Sequence, residues 1–388
     1  MTSIKLIALI PKKEQPQIPQ DFRPISLCNV IYKIIAKYLS NRIKPHLPNT
    51  INHAQAAFIT DRHISSNVII TQEIIHSFNL KNWNQKAFLL KLDLAKAFDR
   101  LEWGFIESAL RRQGYHGHFI KLIQACISSP SFSVLVNGEP SATFRSEHGI
   151  HQGCPLSPYL FVITINELSI LLQTELQNRN LSGISLGPGC PPIHSLLFAN
   201  DLILCGQASV AEASTLNSIF HHFSQLSGQI PNFHKSSILF SKNVDSATRS
   251  QIKSIFPVPD VLPNTMHLGH PMIFSHRDRN KAYDFIINKF RSKFTTVKAN
   301  KLNHAGKLTH IKLVLSSIRV YYMSTVLFSK TFVERITAII RRFWWTGIQD
   351  DNSTNPIAFR SWDFYRNQRP FHCQQESNHP RCMEHCHQ

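Results

Sequence analysis

At 388 residues, 43% of them hydrophobic, the chain has material for a packed core and for two or three structural units, which excludes a disordered protein. Lys and Arg number 42 against 24 Asp and Glu, a formal charge of +18 spread along the chain and not confined to a tail, so a polyanionic partner is the inference. The longest unbroken apolar runs, such as Tyr159 to Ile165, fall far short of a membrane span, the first ten residues lack a signal-peptide cleavage site, and eight scattered Cys with no CxxC pair fit a reducing intracellular setting.

In chain order, Ile4 to Ile10 reads as a short strand, a Pro/Gln-rich loop runs to Asp21, and Ile31 to Leu39 and Asp61 to Phe78 have helical spacing. Ala87 to Asp93 is an apolar run ending in a carboxylate, which predicts a buried strand, with helices around Trp103 to Arg112 and His118 to Ser128. Ser131 to Val136, Asn137-Gly138 and Ala142 to Phe144 predict a hairpin, because Asn-Gly supplies the positive-φ turn. The loop His148 to Pro155 leads into an apolar helix from about Ser157 to Leu172, with Pro158 in its first turn, where a missing N–H is harmless. Ser195 to Phe198 and Leu202 to Cys205 predict two strands joined by a tight acidic turn at Ala199-Asn200-Asp201. A helix over Val210 to Phe223, a polar turn over Ser227 to His234 and a strand over Ser237 to Phe240 follow. From 281 to 345 the pattern is wholly helical and interleaved with Lys and Arg, so the whole order predicts an α+β fold with a basic helical appendage.

Asp93 and Asp201 are the first candidates for chemistry. Either alone reads most simply as a turn or cap residue, but two strand-end carboxylates brought together by strand pairing can hold magnesium ions for phosphoryl transfer, with the main-chain carbonyl of Leu94 as a further oxygen. Asn200 stands where such a site would carry a third carboxylate. His151 to Pro158 reads as a plain helix start or as a site loop, in which Gly153 lets backbone approach a ligand and Gln152 offers a donor and an acceptor. Lys12, Lys13 and Arg23 read as surface charge or, against a triphosphate, as point charges and a bidentate clamp. Phe98 reads as core packing. The terminal His372, Cys373, His379, Cys382, His385, Cys386 and His387 match no zinc spacing, and no metal site is expected there.

With these residues in place, the chain resembles the reverse transcriptase of LINE-type, non-LTR retrotransposons, particularly the plant kind. Leu9-Ile10-Pro11-Lys12-Lys13 and Asp21 to Val30 are similar to that family's opening motifs, and Gln55-Ala56-Ala57-Phe58 with Arg62 and Asn67 to the next block. Lys91-Leu92-Asp93 to Asp99 resembles the first catalytic motif, Gln152 to Pro158 the nucleotide-pocket loop, and Ser227-Gly228 with Asn232, Lys235 and Ser236, then Leu268-Gly269, the two motifs after the acidic turn. The match runs from residue 4 to about 346. It implies a right-hand α+β polymerase with fingers in 1–86 and the hairpin 131–147, a palm with an antiparallel sheet in 87–265, a helical thumb in 270–346 and an irregular, degenerate tail in 347–388.

The resemblance also implies RNA-directed DNA synthesis with two Mg2+ ions, or Mn2+ as a substitute. The partners would be an RNA template, a DNA primer and dNTPs, without a membrane, inside the cell and in the nucleus for an active element. Carried over residue by residue, Asp93, Leu94 and Asp201 would be metal ligands, and Lys12, Lys13 and Arg23 triphosphate contacts. Phe98 would be the gate against ribonucleotides, Gln152 and Gly153 pocket residues, and Lys235 a proton donor to pyrophosphate.

Three departures matter. The family's turn reads Phe-Ala-Asp-Asp, so Asn200 replaces the carboxylate expected to touch the metals most closely. Breaking a buried charge set costs about 3 to 5 kcal/mol, which implies a loss of rate of roughly a hundredfold to several thousandfold where it falls on the transition state. His151 and Cys154 stand where Arg and Asp are common. The chain also opens inside the polymerase and ends in unrelated residues, which suggests a fragment or decayed copy. The competing expectation is a catalytically silent remnant that binds RNA or primer-template.

Overall fold

The computed structural model describes residues 4–272, 279–295 and 302–346. The His/Cys-rich tail lies outside them. The chain divides into two compact units, Met1–Val261 and Leu262–Gln388.

The first unit is built on two sheets. One is mixed: β1 (Ile4–Pro11) pairs antiparallel with β2 (Phe22–Leu27) and parallel with β4 (Ser131–Val136), and β4 also takes the short strands β5 (Glu139–Pro140) and β6 (Phe144–Arg145). The other is antiparallel throughout, in the order β7 (Ser195–Phe198), β8 (Asp201–Gln207), β3 (Ala87–Asp93), β9 (Ser237–Phe240). β3 is flanked on both sides in it, which explains why its sequence is apolar without alternation from Ala87 to Leu90, before Lys91. Ala87, Phe88, Leu89 and Leu90 are completely buried.

Eight helices surround these sheets among the described residues: α1 (Val30–Ile43), α2 (Leu47–Thr50), α3 (Ile64–Asn79), α4 (Trp103–Arg112), α5 (Gly117–Ser128), α6 (Ser157–Gln177), α7 (Val210–Ser227) and α8 (Ser246–Ile255). Local chemistry sets their ends: the Asn29 side chain caps α1, Ser209 caps α7 and Asp245 caps α8, and α7 stops at Gly228 with φ 74°. α6 is buried without a break from Leu160 to Ser169, the mark of a core helix. It is long and apolar enough to cross a membrane, a property the sequence reading of unbroken apolar runs did not register, but 61% of its apolar window is buried within the protein.

The second unit carries a small hairpin of β10 (Met266–His267) and β11 (His270–Pro271) and a helical core containing Tyr283, Ile286, Phe290, Ile336, Ile340 and Phe343. Among its described residues the helices are α9 (Arg279–Ala282), α10 (Asp284–Thr295), α11 (His304–His310), α12 (Ser316–Met323) and α13 (Lys330–Thr346). Within the stretch read as wholly helical from 281 to 345, a π-helical turn at Ile311–Leu315 lies between α11 and α12.

Candidate active site

The register of β3 and β8 places Asp93 directly opposite Asp201. The Asp93 N–H donates to Ser236 Oγ (3.1 Å) and its carbonyl accepts from the Asn232 N–H (2.8 Å), so both main-chain groups face the β9 side. Asp93 and Asp201 are therefore a non-hydrogen-bonded pair, the kind whose Cα atoms approach to about 4.5 Å with side chains on one face. Burial pushes the Asp201 carboxyl above its ordinary pKa, the charge of Asp93 acts the same way, and the Lys91 ammonium opposes both. Lys91 lies two residues before Asp93 on the same face of the strand, and its Nζ donates to the carbonyl of Lys235 (3.4 Å). Asn232 Nδ2 donates to Asp93 Oδ2 (3.4 Å), so the Asn232–Ser236 turn that carries exposed Lys235 clamps the first carboxylate.

The second carboxylate is set by a two-residue turn. Phe198 pairs with Asp201, leaving Ala199 and Asn200 as the loop, and Ala199 takes φ 52°. Positive φ at the first loop position only is the pattern of a type II′ hairpin, whose twist matches that of the flanking strands. The Ala199 N–H donates to Oε1 of Gln55, a buried side chain from a distant loop.

Beyond β3, the Ala95 N–H donates to Ile230 O (2.9 Å), and together with the Asn232 bond this leaves Leu94 as a non-hydrogen-bonded partner of Pro231. The Leu94 carbonyl consequently faces the β8 side, that of the acidic turn. Two opposed carboxylates and this carbonyl are hard oxygen donors of the kind Mg2+ takes, an ion that binds through one or two carboxylates and completes its shell with phosphate oxygens and water. Among the described residues no three His, Cys, Asp or Glu side chains form a metal-sized cluster. The donor set fits an ion completed by substrate; Asn200, next to Asp201 in the turn, has an amide oxygen to offer and no charge.

A cavity of about 370 Å³ lies in the same unit, lined by residues that include Pro24, Ser26, Asp99, Phe132, His148 and Gln152. The Gln152 carbonyl accepts from the Ser26 N–H (2.8 Å), while its side chain bonds Asp99. Burial raises the Asp99 pKa against the opposing effects of Lys96, Gln152, Lys12 and His148. Gly153, with φ 98°, needs to be glycine: a Cβ there would lie 3.0 Å from Ser26 O.

The remaining candidates are more dispersed. Phe98 is half-buried and stacks on Phe161 of α6, with centroids 5.0 Å apart and planes within 8°. Lys12 and Lys13 sit at the exposed tip of the β1–β2 hairpin, where Lys12 Nζ donates to Gln20 O (2.8 Å) and Lys13 pairs with Asp21 (2.9 Å). Arg23 is exposed on β2 opposite Ile10. Sequence reasoning assigned no role to Lys91, Gln55, Asn232 or Asp99, although each stood inside a quoted motif. Their roles depend on pairings between segments distant in the chain.

An antiparallel sheet that presents two opposed carboxylates at a hairpin turn has the form of a nucleotidyl-transfer palm. Residues 10–255 match the reverse transcriptase (RNA-dependent DNA polymerase) family, and the chain belongs to it. Enzymes of this family generally use divalent metal ions. The chain is similar to the transposon TX1 uncharacterized 149 kDa protein of Xenopus laevis, with 30% identity over 202 residues, 52% of this chain and 15% of that protein. It is also similar to the Pol polyprotein from the type-1 retrotransposable element R2 of Popillia japonica, with 27% identity over 271 residues, 68% of this chain and 36% of that protein. These relatives bear out the non-LTR resemblance, and the chain spans well under half of either. Among solved structures, the telomerase of Candida tropicalis with a fragment of telomeric RNA aligns with a TM-score of 0.48 and 12% identity, over 90% of this chain and 55% of that one.

Proposed function

We propose that this chain is the polymerase module of a non-LTR retrotransposon, of the plant kind by its motif wording, and performs RNA-directed DNA synthesis from a DNA primer with dNTPs. In this reading residues 1–86 and 131–147 are the fingers, the rest of 87–265 the palm and 270–346 the thumb, and an active element would use the protein in the nucleus. The observation that carries it is the direct opposition of Asp93 and Asp201. A divalent cation bound there, Mg2+ in a two-ion site with Mn2+ as a substitute, supplies acidity at the primer 3′-hydroxyl and neutralises charge on the leaving pyrophosphate.

Asp93, Asp201 and the Leu94 carbonyl act as ligands. Lys12, Lys13 and Arg23 bind the triphosphate, for which Lys13 must exchange its bond to Asp21 for one to phosphate. Gln152 and Gly153 form the nucleotide pocket, Phe98 excludes a 2′-hydroxyl, and Lys235 delivers a proton to pyrophosphate. Asn200 slows the reaction by withholding a charge. The lack of a three-acid cluster among the described residues favours, as a second reading, a silent remnant that binds RNA or primer-template.

Primer extension on poly(rA)/oligo(dT) by the purified chain and by Asn200→Asp separates the two. The polymerase reading expects the Asp variant to be faster by about a hundredfold or more. Equal, robust extension by both proteins would remove position 200 from the ligand set. No extension by either, with RNA binding retained, establishes the remnant.

A further inference from the structure

The acidic turn is held from outside its own hairpin. Gln55 is completely buried, and its Oε1 accepts two main-chain N–H groups, from Ala57 (2.9 Å) and from Ala199 (3.0 Å). Both acceptor sites are used, which fixes the orientation of the amide and leaves Nε2 buried without a protein partner. That orphaned donor is a cost tolerated in exchange for the acceptor. Gln55 also forms a parallel bridge with Leu197, reinforced by Ala56 N–H to Leu197 O (3.0 Å), Leu197 N–H to Ala54 O (2.8 Å) and Asn67 Nδ2 to Leu197 O (2.9 Å).

The loop that presents Gln55 is itself anchored. The Arg62 guanidinium donates to the carbonyls of Pro48, Ile51, Asn52 and Gln55. Asn166 of the core helix α6 accepts from the Asn52 N–H (2.8 Å). At the far end of this chain of contacts, Ala199 holds φ 52°, a conformation that a residue with a Cβ adopts only at a cost.

We infer that Gln55 is a positioning residue for the acidic turn: its amide oxygen holds the Ala199 peptide in the left-handed conformation that sets Asp201 opposite Asp93. The inference deepens the polymerase reading and rests on it for its consequence in catalysis. Gln55 touches neither carboxylate, so its effect passes through the turn.

The test compares Gln55→Met, which keeps the length and loses the acceptor, with Gln55→Glu, which keeps an acceptor oxygen. Both are made in the full chain, with and without Ala199→Gly. Hydrogen exchange of peptides covering residues 195–204 and Mn2+ affinity by titration are the readouts. Gln55→Met should speed exchange in the turn about tenfold or more, the penalty of an orphaned amide, and weaken Mn2+ binding about fivefold, with α7 and β9 unchanged. Gln55→Glu should restore both. Because glycine adopts positive φ without strain, the effect of Gln55→Met on Mn2+ should fall below about twofold beside Ala199→Gly.

Unchanged exchange and Mn2+ affinity in Gln55→Met, or equal losses with and without Ala199→Gly, overturn the inference. Where Gln55→Met alone does not fold, folding of the double variant supports it, and failure of the double variant assigns Gln55 to general stability and overturns it. Hydrogen exchange needs no nucleotide incorporation, so an inactive Asn200→Asp parent counts against the polymerase reading and not against this one.

Discussion

Lys5 is a completely buried cation on β1 whose ammonium sits 3.3 Å from the Tyr32 ring centroid and 3.3 Å from His151 Nδ1, with the thiols of Cys28, Cys126 and Cys154 around it. No carboxylate forms a salt bridge with it among the described residues. Burial pulls its pKa down to about 8, and burial together with the Lys5 charge pulls His151 down to about 3, so His151 is neutral and accepts from the ammonium. A lysine pKa lowered by folding means that the unfolded chain binds the extra proton between about pH 8 and the ordinary value of 10.5. Stability should therefore rise with pH across that window and be lowest below it, by an amount on the order of 3 kcal/mol. Cys154, where the resembling family commonly has Asp, lies beside this group, with Sγ 3.4 Å from Tyr32 Oη. Cys154→Asp should supply the counter-ion, raise stability at pH 7 by about 2 kcal/mol and flatten the alkaline rise. Urea unfolding of both proteins at pH 7 and 9.5 checks this, and an unchanged slope in the variant refutes the pairing. The opposition of Asp93 and Asp201 was legible because each closes or opens an apolar run at a turn. Lys5 was not, because a lysine in a short strand reads as solvated until the partners from three other segments are in place.

At the scale of elements, the connection between α2 and α3 has little regular structure, yet it is ordered by one side chain. Arg62 satisfies four carbonyls within Pro48–Gln55 by charge-assisted bonds of 2.6 to 3.1 Å, a fork geometry that lysine cannot reproduce. Arg62→Lys and Arg62→Ala should each leave several of these carbonyls unsatisfied and destabilise the first unit by about 2 to 4 kcal/mol. Denaturant midpoints and hydrogen exchange over residues 50–57 measure it. Full protection of that loop in Arg62→Lys would show that a point charge suffices. Strong local signals gave most elements of this unit, including β3, β9 and the helix starting at Ser157, because each is an uninterrupted apolar or periodic run. Where the partner decided, the sequence was less informative. Asn137 and Gly138 do form a turn with both φ values positive, but the returning strand is split into β5 and β6 in place of the single strand predicted over Ala142 to Phe144. The interruption falls at Ser141, whose N–H bonds Val134 O (2.9 Å) and whose Oγ accepts from the Val134 N–H (3.0 Å). α8 was missed altogether, since only Ile252 of its ten residues is buried and its apolar signal is correspondingly thin.

For the whole molecule the dominant quantity is a charge of +18 distributed over the chain. A polyanion bound by such a protein releases condensed counterions, so affinity falls linearly with salt on logarithmic axes, with a slope near −0.7 per phosphate neutralised on a single strand. If about five phosphates are neutralised, affinity for single-stranded RNA should drop about a hundredfold between 50 and 200 mM salt. Asn200 lies in the acidic turn and contributes nothing to this term, so Asn200→Asp should leave the salt slope unchanged while altering extension. The single added negative charge can shift the affinity itself only slightly, because exposed charges are screened within about 10 Å at 0.1 M salt. Binding and chemistry are thereby separable in one pair of proteins: fluorescence anisotropy with a labelled RNA across the salt series reads the first, and primer extension reads the second. A slope near zero would mean that the basic residues do not face nucleic acid. Both the polymerase reading and the RNA-binding remnant would then lose the partner that the composition assigns them.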